Sequence, residues 1–159
     1  MAKKQKMGMK WFHFLIYFLL WVNAAGFILG GLGYIMGLTY ESSAQVYAEY
    51  PQLQMVDVIT GIVWILFGIF VIRTRTSLAN FKKGGPARLN ACFIVGDVII
   101  PVAYNVISLF MIGAQSDILL FLTYPSTLST IAISFVMVAI HNVYFKKRAT
   151  LFNGNEEED

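Results

Sequence analysis

LNACFIVGDVIIPVAYNVISLFMIG, residues 89–113, carries a single charged side chain, Asp97, in 25 positions. At 1.5 Å per helical residue the stretch reaches about 37 Å, more than the roughly 30 Å of a bilayer's hydrocarbon. Read as a helix, it crosses a membrane. Three further segments read the same way: residues 11–38, 55–72 and 118–145. The second is only just long enough. No insert of domain size interrupts them, and no internal repeat is visible.

The composition agrees. The 159 residues are 57% hydrophobic and 13% charged, and the mean hydropathy is +0.64. Soluble domains are nearer 45–50% apolar and about 25% charged. A compact soluble fold of this length leaves roughly a third of its unfolded surface in water, too much to hide so many apolar side chains. A soluble enzyme, a disordered chain and a disulfide-stapled secreted domain are excluded. The one cysteine, Cys92, leaves no CxxC or Cys/His metal spacing. Neither a metal nor a cofactor is expected.

Outward from residues 89–113, the basic residues set the topology. Lys3, Lys4, Lys6 and Lys10 precede the first span. Arg73, Arg75, Lys82, Lys83 and Arg88 separate the second from the third, and Lys146, Lys147 and Arg148 follow the fourth. These are all 12 Lys and Arg of the chain. The two alternate loops carry none, only Glu41, Glu49 and Asp117, with Asp57 near the start of the second span. Positive flanks stay on the cytoplasmic side. The expectation is an all-α polytopic membrane protein, a single four-transmembrane-helix bundle in the cell membrane with both termini cytoplasmic. Val22-Asn23-Ala24 resembles a signal cleavage site, but the apolar run continues over residues 25–38, too long for a signal segment.

The flanks read as membrane-surface segments. Tyr40, Tyr47 and Tyr50 in residues 39–54 favour the headgroup layer, so this loop is expected to lie on the membrane rather than to bind a ligand. Ser42 or Ser43 is placed to cap a short helix there, and Pro51 suits the first turn of the next. In residues 73–88, helix is expected to run toward Lys83, with Leu78 and Phe81 on one face and Gly84-Gly85-Pro86 as the stop. A basic segment with an apolar edge binds anionic headgroups, but the topology rule alone already demands its charges. Leu151 and Phe152 are expected at the interface, and Glu156, Glu157, Glu158 and Asp159 as a solvated, disordered end.

Two features lie within the spans. Gly26, Gly30, Gly33 and Gly37 fall on one helical face and contain two GxxxG spacings, which let another backbone approach closely. Packing within the monomer and a dimer interface both fit, and internal packing is the expectation. The second feature is a polar stripe. Asn90, Asp97, Pro101, Asn105 and Ser108 share a face of the third span. Asp97 sits about 12 Å deep at 1.5 Å per residue, where an ionised carboxylate is costly unless protonated, paired or hydrated. Pro101 disturbs the carbonyl of residue 97, so kink and carboxyl coincide. Asn23 and Ser134 lie halfway through their own spans, Ser134 on a stripe with Thr127, Thr130 and His141, and His13 at the level of His141. The candidate site is Asp97, Pro101, Asn105, Asn23 and Ser134. No acid and base share a depth, so no catalytic residue is assigned.

The lysine-rich start into Lys10-Trp11-Phe12, the Asn80-Phe81-Lys82-Lys83-Gly84-Gly85-Pro86 loop and the Tyr144-Phe145-Lys146-Lys147-Arg148 exit resemble small uncharacterised bacterial four-span integral membrane proteins. That resemblance implies a bacterial inner-membrane location and no activity. Small multidrug-resistance transporters share the span count but carry a glutamate in span one, where this chain has no acid. The expected role is a non-enzymatic packing or accessory protein. The alternative is a proton- or cation-coupled transporter of a small solute working through Asp97. The expected partners are the lipid bilayer and a second copy or larger membrane protein, with no nucleic acid.

Overall fold

The computed structural model describes residues 9–152. Lys3, Lys4, Lys6 and the acidic end at residues 156–159 lie outside the described residues. Among those described the chain is all-helical. Four helices are long and apolar enough to cross a membrane: α1 (Lys10–Ile35), α3 (Pro51–Ala79), α4 (Gly85–Met111) and α6 (Pro125–Lys146). Two short helices lie in the connections, α2 (Ser43–Glu49) and α5 (Asp117–Thr123).

The helix ends follow local chemistry. Pro51 and Pro125 start α3 and α6 in the first turn, where a missing N–H costs nothing. Helix α1 ends in a Schellman turn. Gly37, at φ +70°, donates to the Tyr34 carbonyl at 3.1 Å, and Leu38 donates to that of Gly33 at 2.8 Å. Gly113, at φ +78°, closes α4 the same way. Helix α3 repeats the turn with Phe81 in the left-handed position, at φ 53°. Its ring is held 5.2 Å from Phe12 and 5.5 Å from Phe152.

Several boundaries differ from the sequence reading: α1 ends at Ile35, α3 stops at Ala79 short of Lys83, and Gly85 opens α4 instead of ending α3. Helix α3 starts at Pro51 and reaches Ala79, so its crossing is longer than residues 55–72. Residues 118–145 are not one helix: α5 ends at Thr123, and Tyr124 is extended (ψ 135°) before Pro125 starts α6. A residue preceding proline is pushed out of the helical region.

Helices α1 and α3 form the tightest pair. A Cβ on Gly31 would lie 2.5 Å from the Gly61 carbonyl oxygen, and one on Gly61 would lie 2.5 Å from that of Gly31. One turn-pair along, Gly68 sits against Ala24 and Ile28. The expected glycine face is therefore rotated. Gly31 makes the closest contact, and Gly30 meets the Trp64 ring at 3.0 Å. Gly26 and Gly33 have open space, and Gly37 ends the helix. Helices α4 and α6 are looser: 17% of the most apolar window is buried in each, against 33% in α1 and α3. Tyr17, Leu29, Leu66, Leu119, Ile133 and Phe135 point outward. An apolar exterior this extensive is tolerable in lipid and not in water.

The buried apolar cluster reaches the end of the bundle that carries the basic residues. Phe12, Leu15, Leu78, Leu89, Phe145 and Phe152 are buried there in one cluster. Leu78, Phe81 and Phe152 thus complete a core rather than an edge offered to headgroups. His141 is fully buried in the same place. Its ring lies 5.0 Å from Phe93 and 6.1 Å from Trp11, and neither ring nitrogen has a hydrogen-bond partner among the described residues. His13 is exposed and does not join it.

Candidate functional site

Helix α4 is not a regular α-helix. From Cys92 to Ile99 it widens into π turns, and the Ile100 N–H reaches back five residues to the Val95 carbonyl. Pro101 follows this segment; it cannot donate to the carbonyl of residue 97 and crowds that turn. Such widened turns recur at functional sites. Asp97 sits inside this one, half-buried. The Asn105 side-chain amide donates to the Pro101 carbonyl at 2.8 Å, within α4, and not to Asp97.

Two cavities meet on Asp97. The first, a cleft of about 350 Å³ open to the outside of the bundle, is lined by residues of α1, α3, α4 and α6, among them Phe27, Trp64, Asp97, Pro101, Thr130 and Ser134. The second, of about 140 Å³, runs along the α4–α6 seam past Asp97, Pro101, Asn105, Thr127 and Thr130. Asp97 makes no hydrogen bond to a neighbouring helix among the described residues.

The structure thus brings four of the five candidate residues together. Asp97, Pro101 and Asn105 come from α4 and Ser134 from α6. Asn23 borders neither cavity. Thr127 and Thr130, on the α6 stripe, complete the polar wall.

A second polar centre escaped the sequence reading. Asp57, in the first turns of α3, is fully buried. Tyr47 of α2 donates to its Oδ2 at 2.7 Å, and Tyr104 of α4 donates to its Oδ1 at 2.9 Å. With that proton committed, Tyr40 donates to the Tyr104 hydroxyl at 3.1 Å. Tyr34, near the end of α1, stands edge-on to the Tyr104 ring at 4.9 Å. One carboxylate thus ties three helices and the α1–α3 loop together. Burial first, and then the bond to Asp57, hold the Tyr47 phenol well above its ordinary pKa. It stays a donor at neutral pH. The sequence signals were the second acid in an apolar span and the clustered tyrosines. Tyrosines read one by one look like headgroup anchors. Only the antiparallel pairing sets Asp57, near the start of α3, level with Tyr104, late in α4.

Beside this clasp lies a cavity of about 420 Å³, walled by Tyr40, Tyr50, Leu53, Tyr104, Asn105 and Ser108. Asn105 is shared with the α4–α6 cavity. No group of three or more His, Cys, Asp or Glu that could hold a metal ion occurs among the described residues. No protein-family model, no curated protein and no solved structure matches the chain.

Proposed function

We propose that this multi-pass protein binds a proton or a small cationic solute within the membrane at Asp97 and couples its passage across the bilayer to that carboxyl. The observation that carries the reading is that Asp97 borders two cavities and, among the described residues, bonds to no neighbouring helix. A carboxyl serving as interhelical glue would be bonded across helices, as Asp57 is. Intramembrane acids facing a cavity mark ion and proton pathways. In this reading both termini and the basic end of the bundle face the cytoplasm, and the tyrosine loop faces outward.

The test is reconstitution into liposomes holding a pH-sensitive dye, with imposed gradients of sodium, potassium or methylammonium chloride. The parent responds to at least one gradient, and Asp97→Asn loses at least tenfold of that response. Asn23→Ala, outside the cavities, keeps it. An Asp97→Asn protein that folds and responds like the parent overturns the reading. The second reading is a non-enzymatic packing partner. The small buried fraction of α4 and α6 favours it, because a second copy or larger membrane protein would cover those faces. It predicts a stable assembly in native lipid discs and no Asp97-dependent flux.

A further inference from the structure

The three cavities lie in series along α4. Asp97, Pro101 and Thr130 are common to the two inner ones, and Asn105 joins the middle one to the loop-end cavity. Their walls contain no Lys or Arg. Asp97 supplies the one carboxylate. Neutral hydroxyls and amides, aliphatic side chains and a set of aromatic rings make up the rest of the walls. Tyr40, Tyr50 and Tyr104 stand at the loop end, and Phe27 and Trp64 at the inner end. Phe27 and Trp64 meet edge to face, with ring centroids 5.3 Å apart. Gly96 lets Phe27 and Phe67 approach α4, since a Cβ there would lie 2.7 Å and 2.5 Å from them.

This chemistry selects among cations. A divalent ion asks for several oxygen ligands, and a single carboxylate among aromatic rings serves it badly. An alkylated ammonium suits the walls. Its charge pairs with the carboxylate, and its methyl groups lie against ring faces, where the quadrupole attracts a cation within about 6 Å.

We infer that the site takes a small organic ammonium ion, held by Asp97 and the Trp64 and Phe27 rings, which arrives from the loop end past Asn105. This rests on the reading of Asp97 as a cation site and adds the class of cation and its route. Hydroxyls of Thr130 and Ser134 orient a polar arm on such a solute.

The test uses the full chain in lipid discs, titrated calorimetrically with choline and with 3,3-dimethyl-1-butanol, which has the same shape without the charge. Choline binds saturably, and the neutral isostere at least tenfold more weakly. Trp64→Leu and Asp97→Asn each weaken choline at least tenfold. Trp64→Phe, which keeps a ring face, retains binding and guards against a folding defect in the leucine variant. For the route, Ser108→Cys in a Cys92→Ser background reacts with a charged thiol reagent added at the loop side, and choline slows that reaction.

Equal binding of the isostere, or parent-like binding by Trp64→Leu, overturns the ammonium assignment. Absence of choline binding together with an Asp97-dependent sodium or proton response overturns it too, and leaves the cation reading standing. Absence of both defeats the two together. A Ser108→Cys reaction indifferent to choline overturns the route.

Discussion

Two acids, Asp57 and Asp97, enter apolar spans of this chain, and their surroundings separate them. Asp57 has each oxygen occupied by a tyrosine hydroxyl and no exposure. Asp97 has a cavity on either side. A buried carboxylate left short of a donor carries the desolvation cost of that oxygen, about 1–3 kcal/mol. Tyr47→Phe and Tyr104→Phe should therefore each destabilise the protein by about 1–3 kcal/mol. Because both donors serve one carboxylate, the double variant should depart from the sum of the singles by at least about 0.5 kcal/mol. Denaturant titration in mixed micelles measures this, and strict additivity would show that the two tyrosines act independently. The sequence displayed both acids, but it assigned Asp57 to the loop side's acidic residues and gave no sign that Tyr47, ten positions earlier and across Pro51, turns back onto it.

Among the elements, the α1–α3 pair depends on two missing side chains. Gly31 and Gly61 each face the other's carbonyl oxygen at a distance no Cβ tolerates. Gly31→Ala should force the helices apart and cost about 1–3 kcal/mol, as overpacking does. Gly26→Ala, with nothing within 4 Å, should stay within about 0.5 kcal/mol of the parent. Thermal unfolding in detergent compares them, and equal losses would mean that the close approach is elsewhere. The glycine spacing pointed to α1 as a close-packing helix. It placed the seam on Gly26, Gly30, Gly33 and Gly37, whereas Gly31 lies on it. A helix apolar all round carries no amphipathic stripe to say which way it turns. Helix α4 was more legible, because proline acts through its own backbone: Pro101 announces the widened turn at Asp97 wherever the neighbours stand.

For the molecule as a whole, charge and burial divide along different axes. Lys10, Arg73, Arg75, Lys82, Lys83, Arg88, Lys146, Lys147 and Arg148 lie at or near one end. Arg75 works twice there. Its Nε donates to the Ile16 carbonyl at 3.0 Å, in the π-wound part of α1 (Leu15–Leu19), and its guanidinium lies 5.1 Å from the Trp21 ring centre. If the basic end is cytoplasmic, Ala44→Cys in a Cys92→Ser background should react with an impermeant thiol reagent on intact cells, and Asn80→Cys should react only after lysis. Both positions are exposed, so the reverse pattern would invert the proposed orientation.

Span count, helical class and the grouping of positive charge follow from the sequence by itself. They depend on run length and composition, quantities that need no partner. The disturbed backbone turn before Pro101 belongs with them, being local to one helix. The tertiary structure decided which glycine touches a neighbouring helix, that Asp57 is clasped while Asp97 opens onto cavities, and that Asn23 stands apart from the site. These depend on helix rotation and on which antiparallel segments lie level. In lipid, burying an apolar side chain against protein or against acyl chains differs little in hydrophobic free energy. The apolar pattern therefore carries almost no record of rotation, and packing geometry alone sets it.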